Sequence, residues 1–165
     1  MYDLFKKLFG KKTEEIVTSP VTGKLVQLED VPDPVFSERM MGDGLAIEPA
    51  EGVVVAPLDA KVLQVFPTKH AVGLQTDNGI EILIHIGLET VSLNGEGFES
   101  FVKVGDKVKK GDKLVTFDLA IIKEKAKSTV TPIIITNGDL AESIDKTTEV
   151  QLKRGETPLL TIKPK

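Results

Sequence analysis

The chain has two histidines, His70 and His85, and no cysteine. Without a thiol there is no disulfide scaffold, no thiolate zinc site and no cysteine nucleophile. An imidazole is mostly neutral at cell pH and offers a free lone pair. Two of them side by side could therefore bind a metal, relay a proton, or act as nucleophile and partner in a covalent transfer. Two histidines supply half of a tetrahedral zinc shell, so a metal at His70 and His85 would need a carboxylate or water from elsewhere. No nucleophile elbow or paired-acid motif accompanies them, which disfavours hydrolysis, and ligands at peptidase spacing are lacking. A phosphoryl group arriving on a neutral imidazole would need donors around its three oxygens. The second histidine, strand-end amides and a hydroxyl such as Thr68 or Thr90 could supply them. There is no P-loop or kinase motif to bind a nucleotide, so donor and acceptor would be other phosphoproteins.

The histidines are placed by a predicted hairpin. Ile80, Ile82, Ile84 and Ile86 alternate with Glu81, Leu83 and His85, so the isoleucine face is expected in the core and His85 on the outer face. Asp77-Asn78-Gly79 is a hairpin turn signal. Either two-residue loop, Asn78-Gly79 or Asp77-Asn78, puts His70 and His85 on one face, diagonal or directly opposite. A three-residue loop would put them on opposite faces.

Around the hairpin the pattern is of short apolar or alternating runs near residues 21–28, 45–48, 53–56, 61–66, 98–104, 113–117, 130–136, 149–153 and 158–162, cut by Gly, Pro and Asp. This predicts an all-β antiparallel sandwich or barrel-like fold with short helical turns. Helices are expected only after Asp118 (119–127) and Asp139 (140–144). Ser19-Pro-Val-Thr-Gly-Lys-Leu-Val-Gln-Leu28 is echoed 37 positions later by Ala56-Pro-Leu-Asp-Ala-Lys-Val-Leu-Gln-Val65, which fits a sheet of two related halves. The 165 residues suffice for one domain, assigned to 19–165. Residues 1–18 read as an amphipathic helix or flexible tail. Within it Met1, Leu4, Phe5, Leu8 and Phe9 form an apolar stripe beside Lys6, Lys7, Lys11 and Lys12, a pattern that could touch an anionic membrane through residues 1–12. Lys+Arg 21 against Asp+Glu 25 gives a net charge of -4, so no nucleic-acid partner is expected. No run approaches a membrane span and no export signal opens the chain, so the expected location is cytoplasmic.

Several segments together resemble a known family. Asp30-Val-Pro-Asp-Pro-Val-Phe36, Met41-Gly-Asp-Gly44, Phe66-Pro-Thr-Lys-His70-Ala, Glu81-Ile-Leu-Ile-His85-Ile-Gly-Leu-Glu-Thr-Val91, Asn94-Gly-Glu-Gly-Phe98 and Lys125-Ala-Lys-Ser-Thr-Val-Thr-Pro132 are similar to the glucose-family enzyme IIA component of the bacterial sugar phosphotransferase system. The resemblance implies a duplicated, hybrid-motif β-sandwich and a phosphotransferase role without a required cofactor. The phosphocarrier HPr would donate to His85. His70 would stabilise the phosphoryl group, Thr68 would supply a hydrogen bond, and a cysteine of an enzyme IIB domain would accept. A regulatory docking module that binds target proteins according to phosphorylation state is the second functional expectation, and zinc shared with a partner the metal expectation. Val35, Phe36, Met40, Met41, Phe66, Leu83 and Val91 are candidates for an apolar partner-binding rim, about half of them being expected to be plain core. Gly42 and Gly44 are assigned to turn geometry, and Gly105–Lys113 to a solvated charged turn. The latter is also similar to part of a swinging-arm carrier domain, but the hairpin tip carries no lysine.

Overall fold

The computed structural model describes residues 13–165, which fold as a layered antiparallel β structure. The largest sheet has eight strands. Across it run β13 (Gln151–Leu152), β2 (Gly23–Val26), β3 (Asp43–Pro49), β11 (Thr131–Ile135), β7 (Glu81–His85), β6 (Ala71–Gln75), β5 (Ala60–Val65) and β9 (Lys107–Val108). A three-stranded sheet joins β4 (Val53–Val55), β10 (Lys113–Phe117) and β8 (Phe98–Ser100). Another joins β1 (Glu15–Thr18), β14 (Pro158–Pro164) and β12 (Ala141–Lys146). Short helices α1 (Pro34–Ser37) and α2 (Leu119–Lys125) complete the set. Asp118 caps α2 by accepting from the Ile121 amide at 3.2 Å, as its position before an apolar run predicts.

The sheets enclose a core in which Ile80, Ile82, Ile84 and Ile86 are all buried with Ile133, Ile135, Leu45, Leu74 and Leu114. The alternation of β7 is thereby accounted for. Its other face is not open, however. Leu83 and Ala71 are covered by a second apolar cluster that includes Leu28, Val31 and Phe36, contributed by the segment between β2 and β3.

The echo between residues 19–28 and 56–65 has a physical counterpart. The Thr18 amide donates to the Pro57 carbonyl at 3.0 Å, and the Val55 amide to the Pro20 carbonyl at 2.8 Å. Each bond is the other's image under the 37-position shift. Gly111 donates to Ala56 and Gly155 to Ser19, both at 2.8 Å. The two halves thus cross at a local pseudo-twofold axis, and β2 and β5 occupy equivalent places one strand in from either edge of the large sheet.

Three expectations are corrected here. Residues 140–144 are not a helix: after a 3-10 turn at Gly138–Leu140 the chain enters β12, where Ile144 pairs with Ile162. Five residues are too few to sustain a helix alone, and β14 offers a strand partner for the amides that face it. Residues 107–108 of the charged turn form a short edge strand against β5. Glu15–Thr18, grouped with the N-terminal tail from sequence, pair with β14, and Val17 is fully buried. The amphipathic stretch at 1–12 lies outside the described residues.

Candidate functional site

The β6–β7 hairpin sets the position of both imidazoles, though not through the expected register. Ala71 lies opposite His85 and Gln75 opposite Glu81, and the Thr76 amide donates to the Ile80 carbonyl at 3.0 Å. The loop is therefore the three residues Asp77-Asn78-Gly79, with Gly79 at φ +86°. In regular strands this register would send the rings to opposite faces. It does not, because His70 lies outside β6. Lys69 before it adopts φ +62°, a left-handed conformation that breaks the alternation, and the His70 carbonyl is held by the Ile86 amide at 2.7 Å. The two ring centroids end 5.0 Å apart with the planes at 81°.

Each ring is fixed by its Nδ1. That of His85 is 2.8 Å from the Gly87 carbonyl. A carbonyl only accepts, so Nδ1 carries the proton and a neutral ring has its lone pair on Nε2. Gly87 can present this carbonyl because it sits at φ +73°, where an added Cβ would come within 2.7 Å of the Thr90 methyl. Nδ1 of His70 lies 2.5 Å from the Thr68 hydroxyl. When Thr68 donates, His70 keeps its own proton on Nε2 and becomes a donor. The resulting pair is asymmetric, with one Nε2 bearing a lone pair and the other a hydrogen.

The electrostatics favour neutral rings. His70 is 3% exposed. Burial, reinforced by the neighbouring His85, pushes it down from the ordinary histidine range to about 4. Burial also lowers His85, opposed by the bond to the Gly87 carbonyl and by the negative charge of Asp33. The Phe36 ring stands 5.0 Å from His85 and that of Phe66 5.3 Å from His70, which supplies this desolvation. The outward, solvated His85 expected from alternation is thus half-covered, and His70 is buried.

The remaining candidates divide by exposure. Met40 (70%), Val91 (56%), Val35 (38%) and Met41 (38%) are open to solvent. Phe66 is half-buried, while Phe36 and Leu83 are buried in the second apolar cluster rather than part of an exposed rim. Thr90 is not an available donor, since its buried hydroxyl is spent on the Ile86 carbonyl at 2.7 Å. For a metal, His70 and His85 would supply two ligands, and no group of three or more His, Cys, Asp or Glu suited to a metal occurs among the described residues. Sequence reasoning missed Asp33 and Gly87 as site residues. Asp33 was visible as a helix cap before Pro34, and it does accept from the Val35 amide at 3.0 Å. Gly87 was visible only as a glycine two residues after a histidine.

The model of the family described as "phosphoenolpyruvate-dependent sugar phosphotransferase system, EIIA 1" matches residues 15–140. The chain belongs to this EIIA family. Its relatives include a "PTS system glucose-specific EIIA component" of Bacillus cereus, 57% identical over 162 residues, covering 96% of this chain and 98% of that protein. The component of the same description from Halalkalibacterium halodurans is 55% identical over 170 residues, covering 97% and 98%. Among solved structures, glucose permease IIA from Mycoplasma capricolum superposes with a TM-score of 0.82 at 43% identity, covering 91% of this chain and 96% of that one. The all-β sandwich anticipated from the strand pattern is therefore the EIIA fold, and the chain is a component of a sugar phosphotransferase system. Among the described residues no helix is long and apolar enough to cross a membrane.

Proposed function

We propose that this EIIA is a cytoplasmic phosphocarrier that accepts a phosphoryl group from HPr on Nε2 of His85 and passes it to a cysteine of an enzyme IIB domain during glucose uptake. The carrying observation is the Nδ1–H of His85 bonded to the Gly87 carbonyl at 2.8 Å, which leaves Nε2 as the lone-pair nitrogen. Burial keeps the ring neutral and so nucleophilic. As the bond between phosphorus and Nε2 forms, the bond to the donor's leaving nitrogen breaks. The imidazole gains positive character, which the Gly87 carbonyl and Asp33 offset. The charge on the phosphoryl oxygens is met by Nε2–H of His70, a donor held in place by Thr68. In the second step a IIB thiolate attacks phosphorus, the P–Nε2 bond breaks, and the lone pair returns to His85. No cofactor enters either step.

Intact-mass measurement after mixing with phosphorylated HPr tests the reading. One acid-labile phosphoryl adduct is expected, absent in His85→Ala. An acid-stable adduct on Ser or Thr, or none at all, overturns it. His70→Ala should still accept but pass the group on at least about 100-fold more slowly, as removal of a positioned donor typically does.

The exposed Met40 and Val91 support a second reading, a docking module that reports phosphorylation state to target proteins. Under it, His85→Ala retains target binding while sugar uptake stops.

A further inference from the structure

The flap over His85, residues 31–42, carries Phe36, Val35, Met40 and Met41, and in its single-turn α1 only Phe36 is buried. An ion chain runs along its base. The Arg39 Nη2 lies 3.3 Å from Glu29, before the flap, and its Nε 3.0 Å from Oδ1 of Asp43, after it. The same Asp43 oxygen accepts from Lys146 Nζ of β12 at 2.7 Å and from the Gly44 amide at 2.9 Å. Three donors converge on one carboxylate oxygen at the first residue of β3. Arg39 reaches it from a backbone at φ +56°, and Gly42 between them stands at φ +136° with no room for a Cβ against the Ile135 carbonyl. The backbone there has been bent into rarely adopted conformations, which persist only where surrounding contacts hold them.

We infer that Asp43 is a positioning residue: its carboxylate ties Arg39 and Lys146 together and thereby holds the flap, with Phe36, over His85. This rests on His85 being the phosphoryl acceptor. Without the tie, Phe36 leaves the imidazole more often, water enters, and the ring loses both its orientation and its desolvated, neutral state. The ion chain is half-exposed, so its loss loosens the flap without unfolding the sheets.

Asp43→Asn and, independently, Lys146→Met separate this from a purely structural role. In nuclear magnetic resonance titrations the His85 ring signals of both folded variants should move up in pH toward an ordinary histidine, and the contact between the Phe36 and His85 rings should weaken. The rate of phosphoryl acceptance at saturating phosphorylated HPr should fall about 10-fold to 100-fold, the penalty of a loosened reacting group. Asp43→Glu should recover part of both. Lys146→Met lies outside the flap and carries the test if Asp43→Asn fails to fold. Wild-type titration and contact in either folded variant overturn the inference. The titration needs no phosphoryl donor. Failure of the wild-type chain to accept a phosphoryl group would instead sink the functional reading.

Discussion

His70 and His85 have the same chemistry in solution and acquire different tautomers from the atoms facing their Nδ1. A carbonyl at His85 compels a donor there, and a hydroxyl at His70 permits an acceptor. The low value of His70, about 4, also couples the site to stability. In the unfolded chain this ring takes up its proton near pH 6.5. In the folded chain it resists until about pH 4, so the unfolded state binds more protons between those values. Stability contributed by neutral His70 is therefore constant above pH 6.5 and declines as pH falls from 6.5 to 4. Allowing for screening at the mouth of the site, the loss should be about 1–2 kcal/mol. Urea denaturation of the wild type and His70→Asn at pH 7 and pH 4 measures it. The variant should lose correspondingly less between the two.

The elements explain why the pair forms across a three-residue turn. The isoleucine alternation of β7 told correctly which face is core, because removing four such side chains from water outweighs any local preference. The turn was a closer contest, settled by a residue far along the chain. Asn137 accepts from the Glu81 amide at 2.8 Å and donates to the Gly79 carbonyl at 2.7 Å, satisfying the backbone of a three-residue loop. Nothing local to Asp77-Asn78-Gly79 could reveal that. Beyond β7 the chain must turn sharply to aim a carbonyl back at His85, and Gly87 does so. Gly87→Ala would force a methyl to within 2.7 Å of Thr90 and 2.9 Å of the Ser128 carbonyl. It should cost about 1–3 kcal/mol, read by urea denaturation. Phosphoryl acceptance should fall as well, because the Nδ1 acceptor moves.

Over the whole molecule, the sheets position the two imidazoles at the end of a hairpin, and Met40 and Val91 are among the exposed apolar side chains that the proposed function assigns to docking. Met40→Asp with Val91→Asp should alter stability by no more than about 0.5 kcal/mol each, as surface changes do. Their effect should appear in encounter with the donor: a rise of about 10-fold in KM for phosphorylated HPr at nearly constant kcat, since a contact made equally before and during the reaction is lost. Equal KM values would remove these residues from the docking surface. The amino-acid order alone determined an all-β sandwich, its core-facing isoleucines, the two-half echo and the two candidate histidines, because period-two burial and turn residues are local properties of a strand. Only tertiary structure decided that the chain from Ala141 pairs as a strand, that Phe36 and Leu83 are buried, and which imidazole nitrogen is free. Those outcomes depend on partners distant in the chain, Ile162 for β12, the 28–36 segment for the covered face and the Gly87 turn for His85, and no local pattern encodes what a residue will meet once the chain has closed.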